Sequence, residues 1–346
     1  MSVNNKCLNC GGELNYNPIK NSLDCQYCGS TFPMQETYKE ENISNLKREY
    51  SPSYVLEQNK KQKIKYQCSS CGSQLFLDGK EPLKRCSACG NTSLITASAT
   101  TYVPDGIIPF SLSKAQAGEI FRKWIKSRKF APSDLLNMAK LEKISGYYTP
   151  VWNFNVSAST RWSAVGINKV IHNDQEFKRR YEVKDVEDSN FNNVMKSGSS
   201  KFNDEFLDDM GDYDFLNLKP FSTKYLLGYA GVNTDKDIHK VYQDIVDNIN
   251  QEKKEEISKR LNGEYDLVDN LSCQTRIRHA YFNYAYVPIW ANHYTYKGKD
   301  YHCYINGQTG TATGKAPKSV LKIGGIILGI AATVVVGAVL LARLLF

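Results

Sequence analysis

The sequence has no nucleotide-binding fingerprint, and no set of serine, histidine and acid, or of paired carboxylates, stands out from its background. One run, GQTGTATGKAP, has the outline of a phosphate loop. However, Thr309 stands where the first glycine belongs, and Ala316 where a magnesium-binding hydroxyl belongs. Histidine is scarce, with five residues. His279, His293 and His302 lie near Cys273 and Cys303 in sequence, but a regular strand points His302 and Cys303 to opposite faces, so no third metal is expected there. Residues 1–12 contain no apolar run preceded by basic residues, so no cleavable signal peptide is expected. These absences disfavour an enzyme.

The clearest positive signal is a repeated cysteine spacing. Cys7, Cys10, Cys25 and Cys28 form two C-x2-C pairs, and Cys68, Cys71, Cys86 and Cys89 repeat the spacing unchanged. Each pair is followed by glycine, at Gly11, Gly29, Gly72 and Gly90. A tetrahedral Zn²⁺ takes four thiolates at about 2.3 Å, and two intervening residues let one tight turn present both sulfurs of a pair. The glycine permits the backbone geometry that aims N–H groups at those sulfurs. Two structural Zn²⁺ ions are therefore expected, with no open coordination place for hydrolysis. Disulfide pairing is opposed by the reducing compartment expected for the body, and a redox or zinc sensor would need a labile thiolate that four filled places disfavour. Units this small need the metal to hold a fold.

The sequence divides into a first ribbon at 1–35, a charged linker at 36–65 and a second ribbon at 66–100. An α+β domain follows at 101–316, and a transmembrane anchor at 321–344. The linker is polar and carries Lys60, Lys61, Lys63 and Lys65 near its end. In the domain, Ser113 and Gln116 form a capping box ahead of an apolar helical face at Ala117, Ile120, Phe121, Trp124 and Ile125. Ser133 begins a second helix marked by Leu135, Leu136, Leu141 and Ile144, and GYYTPVWNFNVSAST reads as strand. A long helix is expected over about 236–261.

Two landmarks recur. Pro109, Phe110 and Ser111 return as Pro220, Phe221 and Ser222, and Tyr148, Pro150, Val151 and Trp152 return as Tyr286, Pro288, Ile289 and Trp290. They suggest two copies of one helix-plus-sheet unit, at 101–215 and 216–316. The second ends in a meander in which Lys297–Gly298 suits one turn and Asn306–Gly307 a type I′ hairpin. Tyrosines 281, 284, 286, 294, 296, 301 and 304 are expected to pack an aromatic sheet face.

Ile323 through Ala342 carries no charge, and a helix of about twenty residues covers roughly 30 Å, the apolar thickness of a bilayer. Lys315, Lys318 and Lys322 before this run, against Arg343 after it, place the soluble domains on the cytoplasmic side of a cell membrane. Gly325 and Gly329 form a G-x3-G step through which two spans could associate. The formal net charge of +8 admits anionic partners such as nucleic acid.

The paired ribbons, IIPFSLSKAQAGEIFRKWI, YTPVWNFN and YVPIWANHYTYKGKDYHCYINGQTG resemble bacterial TFIIB-type zinc-ribbon membrane proteins, whose members are often labelled primosomal or DNA-helicase-like. The resemblance implies a membrane-anchored adaptor, similar to proteins encoded beside SPFH-domain and phage-shock-protein-A-like partners in envelope stress. The helicase label has no support here, because the nucleotide motifs are missing. The expected function is docking of partner proteins, and the rival is nucleic-acid binding.

Overall fold

The structure is a computed structural model. It describes residues 6–34, 48–51, the strand backbones 63–68, 74–78 and 94–97, and 104–319 apart from 136–143, 173–174, 201, 203 and 233, with single positions at 322, 324, 333 and 337.

Near the amino terminus, β1 (Leu14–Asn17), β2 (Ser22–Cys25) and β3 (Thr31–Pro33) form a small antiparallel sheet in that order. Leu14, Tyr16 and Leu23 are buried, and much of what buries them is the rest of the chain. The Tyr16 ring meets Tyr225 edge-on at 5.1 Å, and its N–H donates to the Leu227 carbonyl at 2.9 Å. The segment expected to be linker contains β4 (Arg48–Glu49), which pairs with Tyr281 and Phe282 of a long strand described below. Tyr50 stacks on Tyr242 at 3.9 Å and bonds His239 at 2.7 Å. Alternating charge conceals this anchor in the sequence. A second small sheet has the order β6 (Gln74–Asp78), β5 (Lys63–Cys68), β7 (Leu94–Ala97).

The body begins with β8 (Gly106–Ile107), α1 (Lys114–Ser127), β9 (Ser145–His172) and β10 (Gln175–Ser197). It continues through α2 (Asp204–Asp209), β11 (Lys219–Pro220), β12 (Ala230–Gly231), α3 (Ile238–Glu264), β13 (Leu267–Tyr296), β14 (Lys299–Asn306) and β15 (Ala312–Gly314). The main sheet runs β10-β9-β13-β14-β15. The Ser113–Gln116 capping box forms as the sequence predicts. Below it, Phe121, Trp124 and Ile125 join Tyr294 and Cys303 in one core. The helix α3 adds Ile238, Val241, Ile245 and Ile249 to that core, and Ile257 and Leu261 to a satellite cluster with Trp162. The opposite face, at Val151, Ala285, Val287 and Ile289, is covered by Leu207, Met210 and Tyr213. Each fully buried Leu, Ile or Phe contributes about 1.5–3 kcal/mol.

Two chain segments, 106–198 and 230–307, share a set of matching contacts around one strand pair. Thr149 pairs with Val287, and around that pair Tyr148 faces Pro288 and Pro150 faces Tyr286. A short parallel strand lies beside each copy: β12 on Tyr147 and Tyr148, β8 on Ala285 and Tyr286. Val232 N–H donates to the Tyr148 carbonyl and Ile108 N–H to that of Tyr286, both at 2.8 Å. Gly198 and Gly307 likewise donate to Pro150 and Pro288, both at 2.8 Å. The caps Ser113 and Asp237 begin α1 and α3 at matching points. The units therefore face each other about an approximate two-fold axis. Their limits differ from 101–215 and 216–316, because Pro220 lies outside the correspondence: β11 pairs antiparallel with β8 itself.

Three expectations are corrected. The chain is mostly β-sheet rather than two ribbons followed by an α+β domain and a membrane helix, because the strands run through both units as arms of up to 30 residues. Among the described residues no helix is long and apolar enough to cross a membrane. The expected anchor at 321–344 lies outside the described residues except for positions 322, 324, 333 and 337. The assignment as a single-pass cell-membrane protein with cytoplasm-facing domains is corrected accordingly: the described residues hold no helix that could make the span. Finally, the turn with two positive φ values is at Lys297 (49°) and Gly298 (73°), whereas Asn306 opens a longer loop closed by Gly310. The second expected helix falls mostly at 136–143, outside the described residues.

Candidate metal centre

The first four cysteines converge. Their sulfurs lie within 4.8 Å of one another, with Cys7 to Cys28 and Cys10 to Cys25 each at 3.5 Å. Those separations are far too long for disulfides, whose S–S distance is about 2.05 Å. They approach the edge of about 3.8 Å that four Zn–S bonds of about 2.3 Å require in a tetrahedron. In the structure the atoms are thiols, standing in for the thiolates that would face a cation.

Both turns are built alike. Cys7 N–H donates to the Gly12 carbonyl at 2.7 Å, and Cys25 N–H to Ser30 at 2.8 Å. Gly11 and Gly29 then donate back to Cys7 and Cys25. They do so at φ values of 71° and 72°, a left-handed conformation that only glycine adopts without strain. This conformation turns the following N–H toward sulfur, and Gly12 N–H reaches Cys10 Sγ at 3.4 Å. In the second turn the Ser30 hydroxyl lies 3.1 Å from Cys28 Sγ. In the sequence a serine two places after a cysteine carries no signal of its own, so only the folded turn reveals Ser30.

These donors set two of the sulfurs apart. The Ser30 hydroxyl, then its backbone, then Cys10 pull Cys28 down to about 6. The Gly12 N–H pulls Cys10 down as well, but Cys28 and Cys25 outweigh it and push Cys10 up to about 12. A bound dication would take the place of the thiol protons. Cys7 and Cys25 are buried and Cys10 and Cys28 exposed, so the site sits at the ribbon surface.

The second set is not described at this level. Cys71, Cys86 and Cys89 lie outside the described residues, and Cys68 is described only as the end of β5. The histidine group does not assemble as a metal cluster among the described residues. His293 and His302 are cross-strand partners with ring centroids 6.4 Å apart, while Cys303 is buried on the other face and pushed up to about 12 by burial. His279 bonds Glu49 at 3.0 Å, and Cys273 sits beside the Trp162 cluster.

Fold and site together define a class: a β-sheet protein with a four-cysteine cluster able to hold a metal ion. One curated protein similar to it, from Bacillus subtilis (strain 168), is named uncharacterized protein YdjG. It is 25% identical over 335 residues, covering 96% of this chain and 95% of the relative. No protein family matches the chain, and no solved structure matches it.

Proposed function

We propose that the chain is a non-enzymatic adaptor whose cysteine turns, fixed by structural zinc, dock a partner protein. The observation that carries this reading is the placement of Leu8 and Tyr27. Each lies between the two cysteines of a pair, and they are 75% and 77% exposed on the outside of a closed four-sulfur site. The same turns that hold the metal thereby present two large apolar side chains to solvent, which fits an interaction site better than a solvated surface. The Tyr16 seat on Tyr225 keeps this tip in a fixed position on the body. Four sulfurs leave no open metal position for substrate, which favours a structural ion over a catalytic one.

Cys68, Cys71, Cys86 and Cys89 are proposed to complete a second zinc site. Elemental analysis should then find two zinc ions per chain, and one ion would refute the second site. SPFH-domain and phage-shock-protein-A-like proteins are the first partners to test, on the strength of the sequence resemblance. Crosslinking in cells, with and without envelope stress, should recover a partner from the native chain and lose it in Leu8→Glu/Tyr27→Glu at unchanged zinc content. Recovery of no protein partner under either condition would refute the adaptor. Equal recovery from the variant would move docking away from the cysteine turns.

A further inference from the structure

β10, β9 and β13 form a three-stranded arm, and α3 covers only one face of it, over Trp162 and Ala164. The register decides what the other face presents. Lys184 pairs with Ser163, Val186 with Arg161 and Asp188 with Ser159. On the far side Ser272 pairs with Ser163, Gln274 with Arg161 and Arg276 with Ser159. Lys184, Arg161 and Arg276 therefore lie on one straight diagonal, one strand and two residues per step, which spaces neighbours by about 7–8 Å. All three are exposed, and none has an acidic partner among the described residues. Their cross-strand neighbours are Ser163, Ser159, Gln274 and the exposed Val186, all shorter than the cations or uncharged, so no opposite charge stands between them.

The diagonal leads to an aromatic pair. Beyond Arg276 a bulge inserts Arg278, which crosses Ser159 to meet Asp188 at 2.9 Å. Next along the same face come His279 and Tyr281, stacked at 6.3 Å and 17°, with Tyr281 41% exposed. A row of unpaired cations ending in exposed, stacked rings on one sheet face matches the two needs of a single-stranded nucleic acid, phosphate contacts and a platform for bases. It lacks the buried apolar centre of a protein interface.

We propose that this face binds single-stranded nucleic acid, with phosphates over Lys184, Arg161 and Arg276 and a base on the Tyr281–His279 stack. This site lies apart from the cysteine turns and stands independently of the adaptor reading. Three phosphate contacts give a log–log salt slope of about −2 for a single strand, so raising salt from about 50 to 200 mM weakens binding roughly twentyfold.

The test is fluorescence anisotropy of the full zinc-loaded chain with labelled oligothymidylate and oligouridylate of about a dozen nucleotides. Native protein should show that salt response. The triple variant Arg161→Gln/Lys184→Gln/Arg276→Gln should lose about twentyfold affinity at low salt together with the salt dependence. Tyr281→Ala should weaken binding by at least about fivefold. These residues are exposed, and an unchanged thermal midpoint and zinc content would show that each variant is folded. A preference between the two oligomers would assign DNA or RNA. Absence of binding by the native chain, or equal binding by the triple variant, would overturn the proposal. Tighter binding of polyglutamate with the same variant sensitivity would overturn it in favour of an acidic protein.

Discussion

Glu187 joins β10 to α3 behind the exposed face of the arm, and its replacement by glutamine should destabilise the chain through a residue it leaves behind. Lys253 is 4% exposed, and its Nζ lies 3.5 Å from Glu187 and 2.7 Å from Glu256. Glu187 also accepts the Trp162 indole N–H at 2.7 Å and pairs with Arg260. Removing one member of a buried ion pair costs about 3–5 kcal/mol, but Lys253 keeps Glu256 and Glu187 is partly exposed, so about 2 kcal/mol is expected. In a Lys253→Met background no buried charge is stranded, and the same change should cost under about 1 kcal/mol, the value of the partly exposed Arg260 pair. Urea unfolding followed by circular dichroism measures all four proteins. Equal costs in the two backgrounds would refute the reasoning. Acid provides a second check. The Arg260 hydrogen bond holds Glu187 below its ordinary value of 4.5. Its stabilisation is therefore complete above that value and disappears as pH falls through the lower folded pKa, so native and Glu187→Gln stabilities should converge in acid.

Excess chelator should unfold residues 6–34 and leave the body folded, read as new proteolytic cleavage in that segment with the main thermal transition retained; a ribbon that stays protected would refute a structural metal. Tyr50→Ala should cost about 2–3 kcal/mol by removing the stack on Tyr242 and contacts with Phe154 and Phe282, and a thermal shift within error would show that β4 does not anchor the chain. Asn292 is 1% exposed with no hydrogen-bond partner for either amide atom among the described residues. Asn292→Leu should therefore stabilise by about 1 kcal/mol in the same unfolding assay, and a loss of stability would contradict an unsatisfied amide.

Local chemistry made parts of this protein readable. The capping box named the start of α1, and C-x2-C-G named both cysteine turns, because each depends on residues within a few places of one another. The Tyr-x-Pro-x-Trp echo was visible for the same reason. The Pro-Phe-Ser echo misled, since three residues can recur without occupying equivalent places, and only the pairing of β11 with β8 revealed it. The tyrosine spacing predicts a packed Tyr281, but the bulge before His279 and the alternation of β13 leave it exposed.

The sequence alone determined the first four-cysteine turns, the capping box of α1 and the positive charge, all properties of short stretches or of composition. Tertiary structure decided which long strands pair and in what register. Register turned Lys184, Arg161 and Arg276, distant in sequence, into one line. It seated Tyr50 against Tyr242, and it made two unequal segments face each other across Thr149 and Val287. A shift of one residue sends every side chain of a strand to the other face. That choice rests on burial summed over the whole sheet, which no local stretch of the chain records.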